Sequence, residues 1–164
     1  MKEKTCCFTG HRNLPKEDIP TINYLLEQQV SRLIKKGYIR FACGGALGFD
    51  TLAAQTVLRL REKNPEIQLV LFLPCREQDK YWTVREKRTY REILARADQA
   101  VFIGETYYRG CMQKRNRLLA EGSSACICYY TKNIGGTDYT VKYAQKLGVE
   151  VINLAEKAAA VIDV

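Results

Sequence analysis

The chain has 164 residues, 46% hydrophobic and 27% charged, with a formal net charge of +8. A chain of that length buries roughly 70% of its unfolded surface and suits a single domain. The balance excludes disordered, fibrous and disulfide-scaffold classes, and no stretch approaches the ~18–20 apolar residues of a membrane span.

Residues 4–9 form a short apolar run ended by Gly10. Residues 18–36 carry Ile22, Leu25, Leu26, Val30, Leu33 and Ile34 at helical spacing, and Gly37 stops them. Residues 39–43 are a second short run, broken by Gly44 and Gly45. Residues 50–63 read as a helix and residues 67–73 as the clearest strand, ended by Pro74. A charged helix over 83–97 leads to a fourth strand over 100–103. A short helix over 112–121, a strand over 125–130 and a helix over 140–147 follow. The chain closes with a sixth strand over 149–154 and a last helix over 155–161. Strands that alternate with helices, each a continuous apolar run, imply a parallel sheet buried on both faces. The expected fold is therefore α/β, three-layered and doubly wound, with about six strands. The first strand is expected near the centre, in an order like 3-2-1-4-5-6.

His11 is the single histidine, so a multi-histidine metal site is excluded and no metal is expected. Seven cysteines, an odd number, argue against a disulfide framework. Cys6-Cys7 and Cys126-x-Cys128 lack the C-x2-C knuckle and read as small buried hydrophobes in strands. Residues 1–10 contain no signal-peptide h-region, so a cytoplasmic location is expected.

Every unusual motif follows a strand. These are Thr9-Gly10-His11-Arg12, then Gly44-Gly45-Ala46-Leu47-Gly48-Phe49-Asp50, then Pro74 to Gln78 with Trp82 beyond. The segment from Gly104 to Met112, Arg115 and Asn116 follows strand four, and Gly135-Gly136-Thr137 with Thr140 follows strand five. In a parallel sheet all these loops share the carboxyl edge, where open α/β sheets bind ligands. Glycine turns that open helices suit a phosphate, because free N–H groups and the positive end of the helix dipole face it. Either glycine loop also serves as a plain tight turn. The Gly44–Gly48 spacing is neither G-x-G-x-x-G nor a Walker A loop. Asp50 suits a ribose hydroxyl or the helix dipole equally. Arg115 suits a bidentate phosphate contact, and Trp82 a base or sugar, or simple packing.

In order, these motifs resemble the YpsA-like proteins of the SLOG superfamily. The resemblance runs through Cys7-Phe8-Thr9-Gly10-His11-Arg12, Gly45-Ala46-Leu47-Gly48-x-Asp50, Pro74-Cys75 with Gln78 and Trp82, Gly110-Cys111-Met112-x-x-Arg115-Asn116, and Gly135-Gly136-Thr137-x-x-Thr140. It implies a Rossmann-like fold and a bound nucleotide: NAD, ADP-ribose or a nucleoside monophosphate, with no cofactor required. The superfamily includes Lonely Guy phosphoribohydrolases, whose P-G-G-x-G-T-x-x-E motif ends in a glutamate used in base cleavage. Here Thr140 or Lys142 stands at that place, according to the alignment. A nucleotide-binding sensor or regulator is thus the first reading, and a nucleoside-monophosphate N-glycosidase the second. The superfamily also includes the DNA-processing protein DprA, and single-stranded DNA binding is the third reading. Residues 76–117 hold eleven Lys/Arg against six Asp/Glu and would be the nucleic-acid face. A homo-oligomer is expected.

Overall fold

The computed structural model describes residues 1–132 and 135–162, with side chains through residue 159. Among the described residues six strands and six α-helices alternate: β1 (Thr5–Gly10), α1 (Ile19–Lys35), β2 (Arg40–Cys43), α2 (Phe49–Arg61), β3 (Gln68–Cys75), α3 (Val84–Arg96), β4 (Gln99–Gly104), α4 (Cys111–Glu121), β5 (Ala125–Tyr129), α5 (Gly135–Lys146), β6 (Glu150–Asn153) and α6 (Leu154–Ile162). Every strand pair is parallel. The fold is the three-layer, Rossmann-like α/β architecture that the alternation implies.

The strand's period of two divides the core in half. Cys6 and Phe8 of β1, Phe41 and Cys43 of β2, Leu69, Leu71 and Leu73 of β3, and Ala125 and Ile127 of β5 point to one face. They meet the apolar sides of α1, α2, α3 and α6 there. Cys7, Ala42, Val70, Cys126 and Cys128 point to the other face, against Leu119 and Ala120 of α4 and Val141 and Ala144 of α5. The strand residues of this second layer are smaller than those of the first, and Phe72, Tyr130 and Tyr143 pack at its margin.

The sheet order is β4-β3-β2-β1-β5-β6, which corrects the expected 3-2-1-4-5-6. Helix α3 packs on α2, so the chain keeps its direction for one more crossover and lays β4 outside β3. The chain first crosses to the opposite face at α4, which touches β3, β4 and β1, and α5 lies beside it there. The side chains agree with this placement. β5 is buried at all five positions, as a central strand requires, whereas β4 exposes Gln99 and Ala100 and suits an edge. The reversal of direction therefore falls between β1 and β5.

Helix α5 begins at Gly135, five residues before the expected start. The glycine pair that reads as a turn is the first turn of the helix.

Candidate functional site

A cavity of about 530 Å³ opens at the carboxyl ends of β1 and β5, at the point of reversal. Phe8, Thr9, Gly10, His11 and Arg12 form one wall, from β1 and the loop after it. Ala46 and Asp50 come from the second loop and the start of α2. Helix α4 supplies Met112, Gln113, Arg115, Asn116 and Leu119, and α5 supplies Gly135, Gly136, Thr137 and Tyr139. Four separate stretches of sequence thus meet at one place. Phe8, Thr9, Gln113, Leu119 and Tyr139 were not among the candidates read from the sequence. For Tyr139 the signal was available, since an aromatic sits two residues after the Gly-Gly-Thr turn.

Arg115 and Asp50 form the electrostatic centre. Both are buried. The Arg115 Nη1 donates to the Gly44 carbonyl at 2.6 Å, and its Nε donates to Asn116 Oδ1 at 2.7 Å. A Cβ on Gly44 would lie 2.4 Å from Nη1, so only glycine lets the guanidinium reach that carbonyl. Asp50 Oδ2 accepts from the Ala46 amide at 3.2 Å. Burial pushes the Asp50 carboxyl above its ordinary value, opposed by Arg115 and the Ala46 amide. Burial also lowers the Arg115 guanidinium, opposed by Asp50. Each charge favours the charged form of the other.

The glycine loop after β2 does not offer its helix start to solvent. The Phe49 N–H, the first of α2, donates to the His11 carbonyl at 3.1 Å. Gly48 caps the helix at φ +77, and a Cβ there would sit 2.2 Å from the Arg12 carbonyl oxygen. The loop after β1 therefore lies directly on the start of α2. With Ala46 N–H already on Asp50, this loop acts mainly to position its neighbours. Gly45 accepts from Gln78 Nε2 at 3.0 Å. Leu47 is half-buried and lines neither this cavity nor the second one below.

The start of α5 is different. Gly135 and Gly136 are exposed and Thr137 is buried, and all three border the cavity. A Cβ on Gly136 would meet nothing nearer than Asn116 Nδ2 at 3.6 Å. Thr140 is turned back into its helix, its hydroxyl donating to the Gly136 carbonyl at 2.8 Å. Asp138 accepts a hydrogen bond from the Tyr130 hydroxyl and pairs with Lys142 at 3.1 Å. The Tyr130 bond, then Lys142, lower the Asp138 value, and the same bond pushes the Tyr130 hydroxyl up to about 12. His11 Nε2 accepts from the Thr131 amide at 3.0 Å, which requires that nitrogen to be unprotonated. Burial, then Lys132, lower the His11 value and keep the ring neutral.

Pro74, Gln78 and Trp82 lie outside the first cavity and line a second one of about 340 Å³. Cys75, Glu77, Lys80, Tyr81 and Tyr107 complete it, and Arg12 and Met112 border both. Trp82 packs edge-on against Tyr90, with ring centroids 5.3 Å apart. Tyr81 and Tyr107 were missed, although adjacent aromatics in polar loops at this edge were a usable signal.

The basic stretch 76–117 is spread over α3, β4, α4 and their loops. Arg76 pairs with Glu105 at 2.9 Å and Arg91 with Asp79 at 3.4 Å. Among the described residues no group of three or more His, Cys, Asp and Glu could hold a metal ion, and no helix is long and apolar enough to cross a membrane.

The sequence model of YpsA, described as the YspA SLOG family, matches residues 6–154. The uncharacterized SPbeta prophage-derived protein YoqJ of Bacillus subtilis (strain 168) is 32% identical over 126 residues, 70% of this chain and 74% of that protein. The UPF0398 protein BH1768 of Halalkalibacterium halodurans is 32% identical over 131 residues, 78% of this chain and 69% of that protein. Among solved structures, DNA processing protein A from Helicobacter pylori, described for its single-stranded DNA binding mode, matches 92% of this chain with a TM-score of 0.67 and 20% identity. DNA processing protein A from Streptococcus pneumoniae matches 92% with a TM-score of 0.65 and 17% identity. At these identities the likeness is one of fold. The chain spans 64% of the first DNA-processing protein and 50% of the second.

Proposed function

The chain belongs to the YspA SLOG family, and from that premise we propose that it binds a nucleotide or nucleotide-derived ligand at the carboxyl edge of its sheet, as a sensor or regulator. The observation that carries this reading is the lining of the first cavity. The exposed first turn of α5 stands on one side, and Arg12 and Arg115 stand on the others. A helix start offers unpaired N–H groups and a partial positive charge, and the two guanidiniums add full charges. That combination suits a phosphate on a small ligand.

Binding without turnover is favoured by the carboxylates. The position at which the phosphoribohydrolases carry a glutamate holds Thr140 or Lys142. The Thr140 hydroxyl is bonded within α5, and Lys142 pairs with Asp138. Asp138 itself is held by Tyr130 and Lys142, and Asp50 by Ala46 and Arg115. Both carboxylates thus have partners in the fold, and neither stands at the position of that glutamate.

Thermal unfolding across a panel of NAD, ADP-ribose and nucleoside monophosphates tests the proposal. A ligand at 100 times its Kd adds about 2.7 kcal/mol, which for a chain of this size raises the melting temperature by about 5–10 °C. Gly136→Asp is expected to abolish that rise. The new side chain has room, an acid in the first turn suits the helix, and its charge repels phosphate. A panel with no shift for the wild type overturns the reading. Release of free base from any member would replace it with the N-glycosidase.

A further inference from the structure

We propose that the second cavity is the aromatic-ring subsite of the same ligand, and that Arg12, at the junction of the two cavities, holds its pyrophosphate. The inference rests on the nucleotide reading and narrows it to a pyrophosphate-bridged nucleotide.

Three observations support it. The cavities are adjacent, since Arg12 and Met112 border both and stand between them. Both linings mix polar and apolar groups, with Phe8, Leu119 and Tyr139 in the first and Glu77, Gln78 and Lys80 in the second, and they differ in that only the second gathers a tryptophan beside two tyrosines. The first includes glycines, Thr137, Asp50 and Arg115, groups that suit a sugar and a phosphate. The second includes Pro74, Tyr81, Trp82 and Tyr107, flat apolar surfaces that suit a planar heteroaromatic ring. Tyr81 is 88% exposed and Tyr107 63% exposed. Lys80 Nζ stands 5.4 Å from the Tyr81 ring centroid, and the remaining exposed ring surface is open to a planar ligand.

The junction is the third observation. Among the described residues the Arg12 side chain has no ion pair, and its Nη2 makes only a long contact, 4.0 Å, to Met112 Sδ. A guanidinium held by so weak a contact is readily turned toward a bridging anion. The ligand's sugar end then lies in the first cavity, its pyrophosphate at Arg12 and its ring in the second. Gln78, fixed to the Gly45 carbonyl, supplies a polar edge there.

Trp82 makes the proposal measurable, because it is the sole tryptophan of the chain and lines the second cavity. Titration with ADP-ribose is expected to change its fluorescence, whereas ribose 5-phosphate is expected to bind, by calorimetry, without changing it. Replacing both exposed rings, Tyr81→Ala with Tyr107→Ala, is expected to weaken ADP-ribose about tenfold or more and to leave ribose 5-phosphate unaffected. Melting temperature and circular dichroism verify that this variant is folded. If ADP-ribose binds the wild type and the double variant equally and leaves Trp82 unchanged, the subsite is overturned while the nucleotide reading stands. If neither compound binds the wild type, the nucleotide reading falls and takes the subsite with it.

Discussion

Arg115 illustrates how far a single side chain reads differently in sequence and in space. On a helix start rich in Gln, Lys and Arg it suggests a solvated cation or a direct phosphate contact. In the fold it is buried, joined to the Gly44 carbonyl and set beside Asp50. Nothing in residues 111–116 announces that burial, because its cause is a glycine some 70 positions earlier. Removing Arg115 takes a nearby cation from the buried Asp50 carboxyl and leaves the buried Gly44 carbonyl without its donor, losses on the order of 1–3 kcal/mol. Arg115→Ala is therefore expected to lower the melting temperature substantially at neutral pH. The deficit also depends on pH. Asp50 already lies above its unfolded value in the fold, and losing the cation raises it further. A carboxyl raised in the fold favours the folded state at acid pH, and that contribution is lost as pH rises from about 3.9 through the folded value. The deficit of Arg115→Ala should thus shrink as pH falls from 8 toward 5, as melting curves across that range would record. A deficit independent of pH would mean that Asp50 does not feel Arg115.

At the scale of elements, the alternation of strand and helix was legible throughout, because each strand is a short apolar run and most helices have an amphipathic stripe. The start of α5 was not, since a glycine pair carries the same letters whether it forms a turn or the first turn of a helix. The join between the loop after β1 and the start of α2 was equally hidden. It consists of backbone contacts: Phe49 N–H on the His11 carbonyl, and Gly48 against Arg12. A matched pair of substitutions tests that join. Gly37 and Gly48 both have positive φ, +96 and +77, but a Cβ on Gly37 meets nothing within 4 Å. Gly37→Ala is expected to cost about 1 kcal/mol from backbone conformation alone. Gly48→Ala adds a clash with backbone and is expected to cost at least about 2–3 kcal/mol. Denaturant unfolding measures both, and equal costs would show that the two loops are not rigidly joined.

For the whole molecule, the charge has acquired a location in part. Arg12 and Arg115 border the first cavity, whereas Arg76 and Arg91 are paired with acids on the surface near α3. The cysteines read from sequence as strand hydrophobes are indeed buried: all seven are free, and those of β1, β2 and β5 lie within the two core layers. Native protein treated with a thiol reagent is expected to show no fast phase from the five cysteines of the core layers, with Cys75 at the second cavity the one able to react, and denatured protein to show seven equivalents. A second rapidly modified thiol in native buffer would place another cysteine at the surface. The sheet order was legible only in outline. The central position of β1 followed from the doubly wound pattern, but which edge receives β4 depends on the face that α3 covers, and no short segment encodes that.

That order also governs how the molecule can come into being on the ribosome. β1 pairs with β2 on one side and with β5 on the other, Cys7 opposite Cys126. Four of the six strands, from β4 to β1, can therefore assemble from residues 5–104 while the inner flank of β1 still lacks its neighbour. Such an unpaired apolar edge is the kind of surface on which nascent chains associate wrongly, and its closure over more than a hundred residues is intrinsically slow. The first cavity lies along that same seam, so it comes into existence only when α4, β5 and α5 dock, and its ligand would hold the late step of folding closed.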